Sequence, residues 1–320
     1  MGTWPPCSKG KENEPAVATY IPVQAPPPPH ICTTPHETYF PWIVPLIFIA
    51  DVAAFIYTMY VNNCPASSNE CVFPELGRYA FQPLTENMFL GPTADTLQKV
   101  GALQVSLVVV DGQVWRLITC IWLHAGVVHL VLNMISLLFV GVRLEKEFGF
   151  WKIGLLYVLS GFGGSLASCN QLKLSSKQGA SLIKSVGASG ALFGLLGAML
   201  SELIMNWTIY ANKCIALVTL IFIIALNMAI GFIPGVDISA HVGGFSAGFL
   251  LGFILLIRPQ FGWVSRKHIP PGYDLRRLKP KHKCYQYLLW VLAFVMLVVG
   301  FAFSVATLFK GNVQNSSVPS

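Results

Sequence analysis

The stretch "DISAHVGGFSAGFLLG" at 237–252 decides how this chain folds. From His241, glycines recur at Gly244, Gly248 and Gly252, at i+3, i+7 and i+11. With 3.6 residues per turn, these positions form one narrow stripe on a helix. A stripe without side chains lets a second helix come to backbone contact. A matching set, Gly190, Gly194 and Gly197, lies in "SVGASGALFGLLGAML" at 185–200, with Gly187 just upstream. The two segments are expected to pack closely as helices, and Ser189 is carried toward His241. Read alone, Ser189 is either a small packing residue or a nucleophile.

The rest of the chain says where those helices lie. Apolar residues make up 54% of the 320 and charged residues 11%, with a mean hydropathy of +0.61. A soluble chain carries about 25% charge. A bilayer span needs about 20 apolar residues. Seven such runs occur, at 41–61, 117–141, 150–169, 186–205, 214–234, 238–257 and 286–309. The expected fold is all-α and polytopic, embedded in a lipid bilayer. Its expected parts are a proline-rich tail (1–40), a six-helix core (41–257), a basic loop (258–285), a seventh helix (286–309) and a short tail (310–320). Asp51 in the first run is read as the partner of a hydrogen bond between helices, since a lone charge at membrane depth is costly.

Orientation follows from the basic residues, which collect in cytosolic loops. With the N-terminus cytosolic, 14 of the 21 Lys and Arg fall on the cytosolic side and 7 on the other. Eight of the 14 lie between Arg258 and Lys283. The net charge of +7 is a topology signal and implies no nucleic acid. The tail contains "QAPPPPH" and reads as disordered or polyproline-like. Cys64 and Cys71 share one luminal loop, "CPASSNEC", where an oxidising compartment would permit a disulfide. No His/Cys spacing suited to zinc occurs, so neither a metal nor a cofactor is expected. Asn315 heads a sequon in the luminal tail. Asn206 heads one in a cytosolic loop, where it is expected to stay unmodified.

This topology sets polar groups at one depth. The second, fourth and sixth runs all start on the luminal side, carrying His124, His129 and Asn133, then Ser189, then His241. A serine needs an adjacent base to act as a nucleophile, and neutral imidazole serves near pH 7. A helix start has free backbone N–H groups suited to an oxyanion. His129 and Asn133 are i, i+4 neighbours and could donate to the same oxygen. The combination of nucleophile, base and oxyanion donors is far rarer than any one of its parts.

Over roughly 40–260 the chain resembles the rhomboid family of intramembrane serine proteases, plant rhomboid-like proteins in particular. The resemblance rests on Trp115–Arg116, "HAGVVHLVLNM" at 124–134, "GASG" at 187–190 and "AHVGGFSAG" at 240–248, in that order. It implies a Ser189–His241 dyad with no third acid. The oxyanion site would be His129, Asn133 and the Ser189 N–H, and His124 would support it from behind. Trp115 and Arg116 would be structural in the first loop. Phe193 stands where many members have a tyrosine stacked on the histidine, which keeps the ring and loses the hydroxyl. The seventh helix matches the six-plus-one layout of secretory-pathway members, with the Golgi expected first and the plasma membrane second. Partners implied are transmembrane protein substrates, admitted beside a mobile fifth helix. The competing reading is a rhomboid-like protein that binds membrane helices without cutting them. A transporter would predict inverted repeats, and none stands out.

Overall fold

The computed structural model describes residues 40–176, 185–207, 210, 212–230, 236–258 and 282–310. The proline-rich tail, the basic residues from Arg266 to Lys281 and Asn315 lie outside the described residues. The described chain is helical, with two isolated β-bridges. Seven apolar helices dominate: α1 (Ile43–Asn62), α2 (Val127–Phe148), α3 (Phe150–Ser176), α4 (Ser189–Met205), α5 (Lys213–Ile230), α6 (Ile238–Leu255) and α7 (Cys284–Phe309). Of these α1, α2, α3, α6 and α7 are long and apolar enough to cross a membrane, and α4 and α5 are apolar but shorter. Large apolar side chains such as Phe222 on α5 and Phe303 on α7 are two-thirds exposed, as suits helices solvated by lipid. The protein is an integral, multi-pass membrane protein.

α4 is the axis of the bundle, buried along most of its length. Its neighbours reach it because glycines remove the obstacles. A Cβ on Gly244 would lie 2.0 Å from the Gly190 carbonyl oxygen, and one on Gly248 2.0 Å from that of Gly194. One on Gly252 would meet Ala198 Cα at 2.7 Å. The stripe on α6 therefore seats directly on α4. A third helix completes the set: Gly194 faces Ser160 of α3, and Gly164 of α3 faces Gly190.

The second span begins ten residues later than hydropathy suggests, at Val127, and runs on to Phe148 through a π-helical segment, Leu137–Gly141. Residues 117–126 form a short helix (Arg116–Thr119), a tight turn (Cys120–Trp122) and an extended Leu123. Their apolar side chains serve packing: Ile121 fits over Gly161 of α3, where a Cβ would come within 2.7 Å.

The long first loop is built and not loose. Cys64 and Cys71 are disulfide-bonded, with Cα atoms 6.1 Å apart. Thr93 caps the helix Ala94–Val100 through the Thr96 N–H at 3.0 Å. Arg116 closes the other end of that helix, donating to the carbonyls of Gln98 (2.7 Å) and Ala102 (2.8 Å) and to the Gln113 side chain (2.8 Å). Its guanidinium lies 4.7 Å from the Trp115 ring centroid. Hydrogen bonds from a charged donor contribute about 1.5–3 kcal/mol. Arg116→Ala should therefore lower the melting temperature in detergent by several degrees. Arg116→Lys should recover only part of this, because an ammonium cannot reproduce the planar fork. A melting curve for each variant checks both.

Two bonds at depth were foreseen only in kind or not at all. Asp51 is fully buried and accepts from the Tyr157 hydroxyl of α3 at 3.4 Å, the inter-helix bond expected of it. Glu145 is also fully buried, and it accepts the N–H groups of Trp42, Ile43 and Val44 at 2.8–2.9 Å, capping α1 from α2. At the far end of α4, Asn206 is buried, its amide nitrogen bonded to Glu202 and the Leu256 carbonyl, both at 3.0 Å. A glycan needs that nitrogen free, so the folded chain does not offer this sequon. α7 is fastened at both ends: Gln286 donates to the Arg258 carbonyl, and Lys173 of α3 donates to the carbonyls of Thr307, Leu308 and Lys310.

Candidate active site

Ser189 stands at the first turn of α4 because the chain before it is pinned and then bent. Ser185 pairs with Leu103 as a two-bond antiparallel bridge (3.0 and 3.2 Å). The Gly187 N–H donates to the Cys120 carbonyl at 3.0 Å. Gly187 has φ +134°, which disfavours any side chain. Space forbids one too: its Cβ would lie 2.7 Å from His129 Cε1 and 3.6 Å from Ser189 Oγ. The glycine keeps open the space between the imidazole and the serine.

His241 lies in the first turns of α6, with Nε2 2.9 Å from Ser189 Oγ. If the hydroxyl donates, Nε2 is the free base and the ring proton sits on Nδ1. That Nδ1 is buried and has no hydrogen-bond partner among the described residues. Phe193, one turn beyond Ser189, stacks on the imidazole with centroids 4.4 Å apart and planes 26° apart. The ring keeps His241 facing the serine.

α2 supplies the opposite wall. His129 Nδ1 accepts the Ala125 N–H at 3.4 Å, which leaves the proton of a neutral ring on Nε2, the nitrogen facing Gly187. Asn133 lies one turn on, and its amide nitrogen is buried without a hydrogen-bond partner among the described residues. Ser189, His241, Phe193, His129 and Asn133 line one cavity of about 780 Å³. His124 does not line it; the ring is fully buried and lies edge-on behind His129, 5.4 Å between centroids. Trp115 and Arg116 also stand apart from the cavity, bracing the helix that forms part of its rim.

Sequence reading missed several contributors. α3 brings Gly161 and Ser165 to the cavity, and α5 brings Asn227. The cluster "GFGGS" at 161–165 could have flagged α3 as a close-packing helix. Asp237, the N-cap of α6, was readable as an acid just before a helix and was passed over.

A hydroxyl meets an imidazole at a helix start, inside a bundle of apolar helices, so the class is a membrane-embedded helical protein with a polar site at its centre. Comparison with known proteins gives the family. A rhomboid domain model matches residues 111–258. RHOMBOID-like protein 5 of Arabidopsis thaliana is 56% identical over 304 residues, covering 94% of this chain and 93% of that one. The chain belongs to the rhomboid family. Two further relatives differ in what their names say. The Inactive RHOMBOID-like protein 8 of the same plant is 40% identical over 76% of this chain and 63% of its own length. Rhomboid-type serine protease 2 of Emericella nidulans is 33% identical over 46% of this chain and 28% of its own.

Proposed function

We propose that this chain is an intramembrane serine endopeptidase that cuts transmembrane proteins near one face of the membrane. The observation that carries the reading is the 2.9 Å approach of Ser189 Oγ to His241 Nε2 at the start of α4. Ser189 Oγ attacks the scissile carbonyl while its proton passes to His241 Nε2. The oxyanion collects hydrogen bonds from the Ser189 N–H, His129 Nε2 and Asn133 Nδ2. His241 then gives its proton to the leaving amine as the C–N bond breaks, and water attacks the acyl-enzyme by the same route. Phe193 keeps the stacking surface without a hydroxyl, and no step needs that hydroxyl.

The substrate must be extended where it is cut, so a helix-weakening Gly or Pro near the scissile bond should favour it. Lateral access is assigned to the α5 side: its outer face (Ile215, Val218, Ile221, Phe222) meets lipid while Asn227 meets the cavity. The basic-residue bias supports a cytosolic N-terminus and a cavity open to the lumen. The six-plus-one layout supports a secretory-pathway membrane, the Golgi foremost.

The test is co-expression with a single-span reporter, paired with fluorophosphonate labelling. The wild-type chain should cleave and label, and Ser189→Ala should do neither. Equal cleavage by both would overturn the protease reading. A wild type that binds the reporter but neither cuts nor labels would favour a helix-binding rhomboid, the alternative that the inactive relative keeps in view.

A further inference from the structure

We propose that Asp237 is a positioning residue that holds a negative charge one helical turn from His241 and stabilises the imidazolium formed as Ser189 attacks. This rests on the Ser189–His241 reading above and deepens it.

Asp237 is held from three directions. Its Oδ1 accepts the Ala240 N–H at 3.1 Å, capping α6. Its Oδ2 accepts the Ser168 hydroxyl from α3. Its backbone carbonyl accepts the His241 N–H at 3.3 Å, which ties the acid to the base through the helix. Both carboxylate oxygens thus serve donors other than the imidazole, and His241 Nδ1 has no hydrogen-bond partner among the described residues. Asp237 is therefore not the third member of a hydrogen-bonded triad. It acts through space, from the cap position one turn before His241.

The surroundings favour such an action. Among the described residues lining the cavity, Asp237 is the only acid, and there is no Lys or Arg. The other titratable groups there are His129 from α2 and the Cys120 thiol, which lies 3.2 Å from Ser165 Oγ. Neither offers a fixed negative charge. A charge among apolar walls is felt more strongly than one in water. The clasp to Ser168 and the helix N-terminus keeps the carboxylate from swinging into the space where substrate must lie.

The test uses the purified full chain with Asp237→Asn, which keeps an N-cap as good as the original. Melting temperature, kcat and KM on a single-span reporter, and the pH dependence of fluorophosphonate labelling are measured. Melting should change little, because Asn keeps an acceptor for the Ala240 N–H and the Ser168 hydroxyl can accept from the new amide instead. A charge felt only when the imidazolium forms alters kcat and spares KM, so kcat should fall about tenfold, the scale of one pKa unit. Removing the negative charge makes the imidazolium harder to form, so the acid limb of labelling should move to lower pH. Asp237→Ala should show the same shift and also melt lower. An unmoved acid limb in an active Asp237→Asn chain overturns the proposal and leaves a cap alone. A wild type that neither cleaves nor labels overturns the protease reading, and this proposal with it.

Discussion

Gly244→Val is expected to abolish cleavage and Ser189 labelling while leaving a chain that still inserts in the membrane. The added Cβ would lie 2.0 Å from the Gly190 carbonyl oxygen and 2.7 Å from its carbon, both backbone atoms that cannot rotate away. Relief requires α4 and α6 to separate by about 1 Å or more, and overpacking of this kind costs about 1–3 kcal/mol, at times more. Gly190 adjoins Ser189, so the separation falls on the Ser189–His241 pair. Their 2.9 Å contact would open beyond hydrogen-bond range. A displacement of about 1 Å in catalytic geometry can lower a rate about a hundredfold. Gly300→Val on α7 is the control, since nothing lies within 4 Å of its Cβ position. Both are checked by reporter cleavage, labelling and melting. A Gly244→Val chain as active as the Gly300→Val control would show that the stripe is not what holds the pair together.

Loss of the Glu145 carboxylate should have the largest effect on folding. Three N–H groups at the start of α1 depend on it, at 2.8–2.9 Å. Each buried donor left without an acceptor costs about 1–3 kcal/mol. A carboxylate at a helix N-terminus adds a favourable charge–dipole interaction. Glu145→Ala should therefore cost about 3 kcal/mol or more and sharply deplete the folded chain from the membrane fraction. Glu145→Gln, which keeps one good acceptor, should fall between. The site is remote from Ser189, so the surviving folded molecules should label at the wild-type rate. The checks are folded yield and labelling per folded molecule.

These two cases mark how far sequence reading reached. The Gly244 row was legible because glycine spacing on a helix carries its own geometry, and Ser189 and His241 were legible because topology fixed their depth. The partnership of Glu145 with Trp42 was not, since about a hundred residues separate them and neither local pattern implies the other. The start of α2 was missed for a different reason. Hydropathy records that 117–123 is apolar, but it cannot tell a segment that spans lipid from one that packs Ile121 into the notch at Gly161. Asp237 was in plain view, yet its meaning depends on Ser168 of α3, and only the folded chain brings that residue to it.

The fastening of α7 bears on how the bundle is held together. It is the last of the described helices to be synthesised, and it supplies donors to Met205, Asn206 and Arg258 at the ends of α4 and α6. It also supplies the acceptors for Lys173 of α3. Removing α7 would take these particular bonds away from the Met205 and Arg258 carbonyls and from the Lys173 ammonium. α7 thus braces from outside the helices that surround Ser189, tying α4 and α6 at one of its ends and α3 at the other.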